Sequence, residues 1–229
     1  MDDTDHLGRP IVVVTGIGIV TSLGQGKDVN WKSLTSGVSG IKRIVRFPVD
    51  HMKTTIAGTV DFIPVEEPSA PALSERLAEL VIEEAIAEAG IGAGGDFPGP
   101  LFLALPPVEM EWPQRRMLAA EGSANGAVTY EGLLRAATSR DHSAHYRRFL
   151  FASVGENLAD KFGTKGAPIA TSTVCASGGT AIQLGVEAIR RGETGVALVV
   201  GTDASVNPES IIRFSLLSAL STRNYAPTQ

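Results

Sequence analysis

Cysteine is almost missing from this chain: Cys175 is the only one in 229 residues. One cysteine cannot close an intramolecular disulfide, so the fold must hold by its core, which fits a reducing cytoplasm. Histidine is scarce as well, and His6, His51, His142 and His145 all precede Cys175. No apolar run approaches the roughly 20 residues that cross a membrane. The opening Met1–Pro10 is polar and acidic, unlike a secretory signal. A basic surplus is absent too: the formal net charge is −5 with no basic cluster, which argues against nucleic-acid binding. No internal repeat is visible. What remains is 43% hydrophobic and 20% charged, ordinary for a soluble globular protein with a real core. The length admits one large domain or two small ones.

The most informative stretch surrounds that cysteine. Ile169-Ala-Thr-Ser-Thr-Val-Cys175-Ala-Ser-Gly-Gly-Thr-Ala-Ile182 runs from an apolar, β-branched segment into helical spacing, with Ile182, Val186 and Ile189 apolar and Ala181 and Gly185 small beside them. Arg190, Arg191 and Gly192 supply a basic last turn and a helix stop. Cys175 is thus expected where a strand hands over to a helix start, among residues too small to bury it. Unpaired N–H groups and the helix dipole favour an anion there, and Gly178 and Gly179 let a substrate carbonyl approach the backbone. The competing reading is an inert core cysteine, since free cysteine is among the most buried residue types. The Gly-x-Ser-x-Gly elbow of serine hydrolases is absent, because Ser177 lacks a glycine two residues earlier.

Elsewhere the patterns alternate between strand and helix, which predicts a mostly parallel sheet with helices on its faces. Ile11–Thr15 reads as a strand buried on both faces. Gly16 and Gly18 follow it, but Thr21 stands where a dinucleotide fingerprint needs its third glycine, so a turn is expected. Residues 28–37 read as a short helix with Trp31 and Leu34 on one face, and residues 54–60 as a strand. Residues 64–71 read as a solvated loop, then a long helix opens at Ser74, with Leu77, Leu80, Val81 and Ala85 on its face, glutamates on a solvated one and Gly90 ending it. Leu101–Leu105 and 195–201 are buried strands, 147–162 is a helix, and 208–220 a helix or turn. His142 and His145 beside Asp141 have the spacing of two metal ligands, yet no further ligand cluster accompanies them, so a polar surface helix is expected and no metal.

Four blocks together carry a resemblance. Thr173-Val-Cys175-Ala-Ser-Gly-Gly-Thr-Ala-Ile182 resembles the nucleophile segment of β-ketoacyl-acyl carrier protein synthases of the type II class, in the thiolase superfamily. Val12–Gly24, Ala197–Asp203 and Phe214–Asn224 continue it in the family's order, while 106–146 matches poorly where relatives carry a glycine-rich stretch that helps form the acyl pocket. The resemblance implies an α/β thiolase-like fold, of which residues 1–229 are the first of two similar halves, the one carrying the nucleophile. It implies a decarboxylative Claisen condensation of acyl and malonyl thioesters, in fatty acid or polyketide synthesis, with acyl carrier protein as partner. By position Cys175 is the nucleophile, its backbone N–H is one oxyanion donor, and Phe214 helps gate the acyl pocket. No metal or organic cofactor is implied. A homodimer is, with Pro168–Thr173 as the edge strand at the seam.

The family's two catalytic histidines and its other oxyanion donor lie in its second half, and none of the four histidines here matches them. Asn224–Gln229 therefore reads as a cut, leaving a nucleophile without its base, and this chain alone is not expected to condense substrates. Two other readings stay open. One is a non-catalytic thiolase-fold subunit that binds acyl carrier protein, against which Cys175 itself argues. The other is a thiolase acting on coenzyme A thioesters, against which the Phe214–Asn224 block argues.

Overall fold

The computed structural model describes residues 4–65, 69–124, 126–139 and 147–227. His142, His145 and Asp141 lie outside them. At the centre is a three-stranded parallel sheet in which β5 (Leu101–Ala104) pairs on one side with β8 (Ile169–Thr171) and on the other with β9 (Leu198–Gly201). Among the described residues, three short antiparallel pairs of strands lie outside this sheet. These are β1 (Val20–Thr21) with β2 (Gly24–Gln25), β3 (Lys42–Arg43) with β4 (Ile56–Ala57), and β6 (Ser123–Ala124) with β7 (Ala127–Val128) besides the Thr4–Pro10 bridge.

Side chains alternate across the central strand, as the strand period requires. Leu101, Leu103 and Leu105 point to one face, into a core with Ala78, Ile82 and Ile86 of α2 (Ala70–Ala89) and Val154, Leu158 and Phe162 of the helix Ser153–Phe162. Phe102 and Ala104 point to the other, against Ala181 and Ala188 of the helix Ser177–Arg190. Three layers result, helix on sheet on helix. Each fully buried leucine contributes on the order of 1.5–3 kcal/mol of burial free energy.

Helix Ser177–Arg190 meets the sheet through its small residues. Ala181, Gly185 and Ala188 are buried, and a Cβ on Gly185 would stand 2.7 Å from Val199 Cγ2. Ile182, expected on the packing face, is 59% exposed. Close approach of helix to sheet leaves no room for a branched side chain, so the smallest residues decide which face is buried.

The N-terminal stretch departs from expectation. Ile11–Thr15 forms no ladder, and Ile11, Val13 and Val14 are exposed. No described strand pairs with it, and the residues that follow, 16–19, lie on α2. That support is backbone to backbone. A Cβ on Gly16 would come within 2.1 Å of Ala85 O, and one on Gly18 within 1.9 Å of Val81 O. Glu88 accepts the Ile17 N–H at 2.7 Å and Glu84 the Ile19 N–H at 2.9 Å, while Lys27 pairs with Glu88. The glutamate face of α2, expected to be merely solvated, anchors the chain's first segment.

Helix α2 also begins earlier than Ser74. Ser69 caps it, its hydroxyl accepting the Ala72 N–H, and Pro71 occupies the first turn, where a missing N–H costs nothing. Gly90 ends it at φ 65, as expected. Ser74 is buried inside the helix, taking the Ala204 N–H on its hydroxyl and the Thr202 hydroxyl on its carbonyl. The first short helix, α1 (Lys27–Thr35), forms where expected, but Trp31 and Leu34 are exposed and its buried residue is Asn30, bonded to Gly24 O and Gly26 O. The 54–60 strand contracts to Ile56–Ala57.

Candidate active site

The three central strands are parallel, so their carboxyl ends lie at one side of the molecule, where open α/β sheets bind ligands. Beyond the end of β8 the chain makes a single 3₁₀ turn, Val174–Ala176, and enters helix Ser177–Arg190 directly. Cys175 sits in that turn and is exposed, which removes the inert core reading. Thr173, Val174, Ala176, Gly178 and Gly179 around it are exposed too. No side chain caps the helix: its N-cap is Ala176. The helix start thus lies beside Cys175 without a side-chain cap, the place where a helix end favours negative charge.

The turn is strained in a way no sequence pattern announced. Val174 has φ 55, and it and Ser218 are the non-glycine residues at positive φ among those described. For a β-branched residue that region costs roughly 1–3 kcal/mol. Hydrogen bonds around it are dense. The Thr173 N–H donates to Ser177 Oγ at 2.8 Å, the Ser177 hydroxyl donates to Val174 O at 2.7 Å, and the Ala176 N–H donates to Thr173 O at 3.2 Å. Thr180 donates its hydroxyl to Ala176 O at 3.1 Å and lies 3.0 Å from the Thr173 hydroxyl.

Phe214 stands on the helix Pro208–Leu216, capped by Asn207, and is 47% exposed. The packed clusters of the described residues contain neither it nor Cys175. Arg213, next to Phe214, makes a two-pronged bond to Glu109 at 2.7 and 2.6 Å, and Arg115 joins Glu109 at 3.1 Å. The Arg213 fork holds the Glu109 carboxyl below the usual carboxylate range. Burial pushes Glu111, close by, the other way, against the N–H it accepts from Ala70, and the neighbouring Glu209 adds repulsion. These residues line a cavity of about 60 Å³ between 105–111 and the start of helix Pro208–Leu216, and neither Cys175 nor Phe214 reaches it.

The Phe214–Asn224 block has a structural use as well. Asn224 accepts the Thr55 N–H at 2.8 Å and donates to Lys53 O at 2.9 Å, while Thr54 donates to Ser221 O, docking the end of the block on 53–55. Among the described residues, no group of three or more histidine, cysteine, aspartate or glutamate side chains is placed to hold a metal ion. No described helix is long and apolar enough to cross a membrane.

A parallel sheet between helices, with an exposed cysteine on a left-handed turn at its carboxyl end, places the chain among thiolase-like α/β proteins. Solved structures agree on the fold. The ishigamide ketosynthase/chain length factor superposes with a TM-score of 0.69 at 22% identity, covering 93% of this chain and 52% of that one. The ketosynthase AntDE, solved with the type II polyketide synthase acyl-carrier protein AntF, gives 0.71 at 24% identity, covering 92% and 50%.

The chain belongs to the β-ketoacyl synthase family: the model described as "Beta-ketoacyl synthase, N-terminal domain" matches residues 9–93 and 109–229. It is similar to the tetracenomycin polyketide synthase ketoacyl synthase alpha subunit of Streptomyces glaucescens, 27% identical over 94% of this chain and 51% of that protein. The chloroplastic 3-oxoacyl-[acyl-carrier-protein] synthase II of Arabidopsis thaliana is 29% identical over 95% and 40%. The 3-oxoacyl-[acyl-carrier-protein] synthase 2 of Vibrio harveyi is 30% identical over 94% and 51%. The chain spans about half the length of the curated relatives it matches.

Proposed function

We propose that this chain carries the acyl-accepting nucleophile of a β-ketoacyl-acyl carrier protein synthase, and that Cys175 is that nucleophile. The observation that carries the reading is the exposed position of Cys175 in a turn that opens directly into an uncapped helix start. The Cys175 thiolate attacks the thioester carbonyl of an acyl group on a carrier protein, and the carrier's pantetheine sulfur leaves as a thiolate. Negative charge on the carbonyl oxygen in the tetrahedral intermediate is met by backbone N–H groups at the helix start, the Cys175 N–H among them. Gly178 and Gly179 have open space where a Cβ would stand, which leaves the backbone accessible to the substrate.

Attack by a malonyl-derived carbanion on the acyl-enzyme then forms the new carbon–carbon bond, with loss of carbon dioxide. That step needs donors for the malonyl thioester oxygen, and by the resemblance these are two histidines that residues 1–229 do not supply. Phe214 is the side chain we assign to the acyl pocket, and the variable segment 106–146 to its shape. Both fatty acid and polyketide synthesis are compatible with this chemistry.

The test is acyl transfer alone. Incubated with an acyl carrier protein thioester, the 229-residue chain should gain the mass of one acyl group, located on Cys175 by peptide mapping, and Cys175→Ala should gain none. Acylation elsewhere, or undiminished acylation of Cys175→Ala, would overturn the assignment. With malonyl carrier protein, carbon dioxide release by this chain alone should stay at the background set by Cys175→Ala.

A further inference from the structure

Val174 occupies a conformation that its own chemistry opposes. It is β-branched, lies at φ 55 and is 81% exposed, so packing does not hold it there. Backbone in this region persists only where surrounding contacts over-determine it. The Ser177 hydroxyl provides such contacts. Its oxygen accepts the N–H of Thr173 at 2.8 Å, and its proton goes to the carbonyl of Val174 at 2.7 Å. One side chain therefore grips the backbone on both sides of the strained residue. A serine at a helix start ordinarily caps the helix, yet this helix has no side-chain cap and Ser177 folds back onto the turn instead. The hydroxyls of Thr173 and Thr180 tie the same turn to the helix, with Thr180 donating to Ala176 O, but neither touches the Val174 peptide.

We propose that Ser177 is the positioning residue of this site: it holds Val174 in the left-handed region and so sets where Cys175 presents its sulfur against the helix start. The proposal rests on the reading of Cys175 as a nucleophile. A Val174 that relaxed to negative φ would redirect the chain at the very next residue, and Cys175 would leave the first-turn N–H groups. Glycine adopts positive φ without steric cost, so a glycine at 174 would make the Ser177 clamp dispensable.

The experiment measures the rate of Cys175 alkylation by iodoacetamide in the 229-residue chain at neutral pH, by intact mass, with thermal unfolding followed in parallel. Ser177→Ala should slow alkylation about tenfold, the scale of releasing one strained residue. Ser177→Thr keeps the hydroxyl and should stay within about twofold of the wild-type rate. The decisive variant is Ser177→Ala combined with Val174→Gly, which should recover the wild-type rate. Glycine at 174 acts only at the strained residue, so recovery assigns the loss to the conformation of Val174 rather than to a defect elsewhere in the chain. If Ser177→Ala alone does not fold, the proposal requires that the double variant does. A wild-type rate in Ser177→Ala, or a double variant no faster than Ser177→Ala, overturns it. Iodoacetamide needs no carrier protein. Failure of acyl transfer in the assay above would therefore overturn the ketosynthase reading and leave this result standing.

Discussion

At the scale of single residues, glycines do two opposite jobs here. Gly16 and Gly18 are absent from the positive-φ glycines, so neither is needed for a turn; each is needed because the chain lies directly on the backbone of α2. A methyl group at 18 would stand 1.9 Å from Val81 O, and backbone cannot give way as the end of a flexible side chain can. We expect Gly18→Ala to destabilise the chain by about 1–3 kcal/mol, the usual cost of overpacking, read as a fall in the urea midpoint. Gly179 is the counter-case. It lies within helix Ser177–Arg190 and meets nothing within 4 Å, so alanine there should stabilise by up to about 1 kcal/mol through helix propensity. The same methyl group would crowd the substrate's approach to Cys175. Gly179→Ala should therefore raise the unfolding temperature and slow acyl transfer, and a variant both stabler and equally fast would mean the substrate does not pass over this face.

At the scale of elements, the segment after the central strand and the helix Pro208–Leu216 are joined by charge rather than by a shared apolar core. Glu109 receives both prongs of Arg213 and one bond from Arg115. The pH dependence follows from the direction of the Glu109 shift. Its folded pKa lies below the ordinary 4.5, chiefly through the Arg213 hydrogen bonds, so folding favours the charged form. Its contribution is fully present above about the ordinary value and is lost as the pH falls through the lower folded one. Glu109→Gln should lower the unfolding temperature at pH 7, modestly because the pair is more than a third exposed, and the gap to wild type should close on acidification. A gap that persists once the carboxylate is protonated would mean that Glu109 acts by packing alone.

At the scale of the whole molecule, many large hydrophobic side chains stay uncovered. Among the described residues Val13, Val14, Trp31, Leu34, Val174, Ile182, Leu216, Leu217 and Tyr225 are exposed large hydrophobics. The strand Ile169–Thr171 pairs only with Leu101–Ala104, so it is an edge of the described sheet, with Ile169 47% exposed. An open edge is a template for a second strand. We expect two copies to pair there, giving a homodimer in sedimentation velocity at micromolar concentration, and Ile169→Lys to shift it toward monomer. A monomeric wild-type chain that stays free of aggregates would overturn the edge pairing.

The amino-acid sequence by itself determined the alternation of strand and helix, and with it the parallel sheet. It also determined the motif blocks and the placing of Cys175 between strand and helix. Those features are local: they depend on apolar period, glycine stops and residue size over stretches of about ten residues. Tertiary structure decided what depends on distant partners. Ile11–Thr15 has the composition of a buried strand, yet it has no described strand beside it and stays largely exposed. Trp31 and Ile182 have the apolar character of core residues, but Asn30 and the small faces of Ala181, Gly185 and Ala188 are what the neighbouring elements admit. The glutamates of α2 look solvated along the helix, and only the fold brings the N–H groups of Ile17 and Ile19 to them. The left-handed Val174 was illegible for a related reason. Nothing in valine favours positive φ, and the bonds that hold it there arise only once the turn has closed onto Ser177.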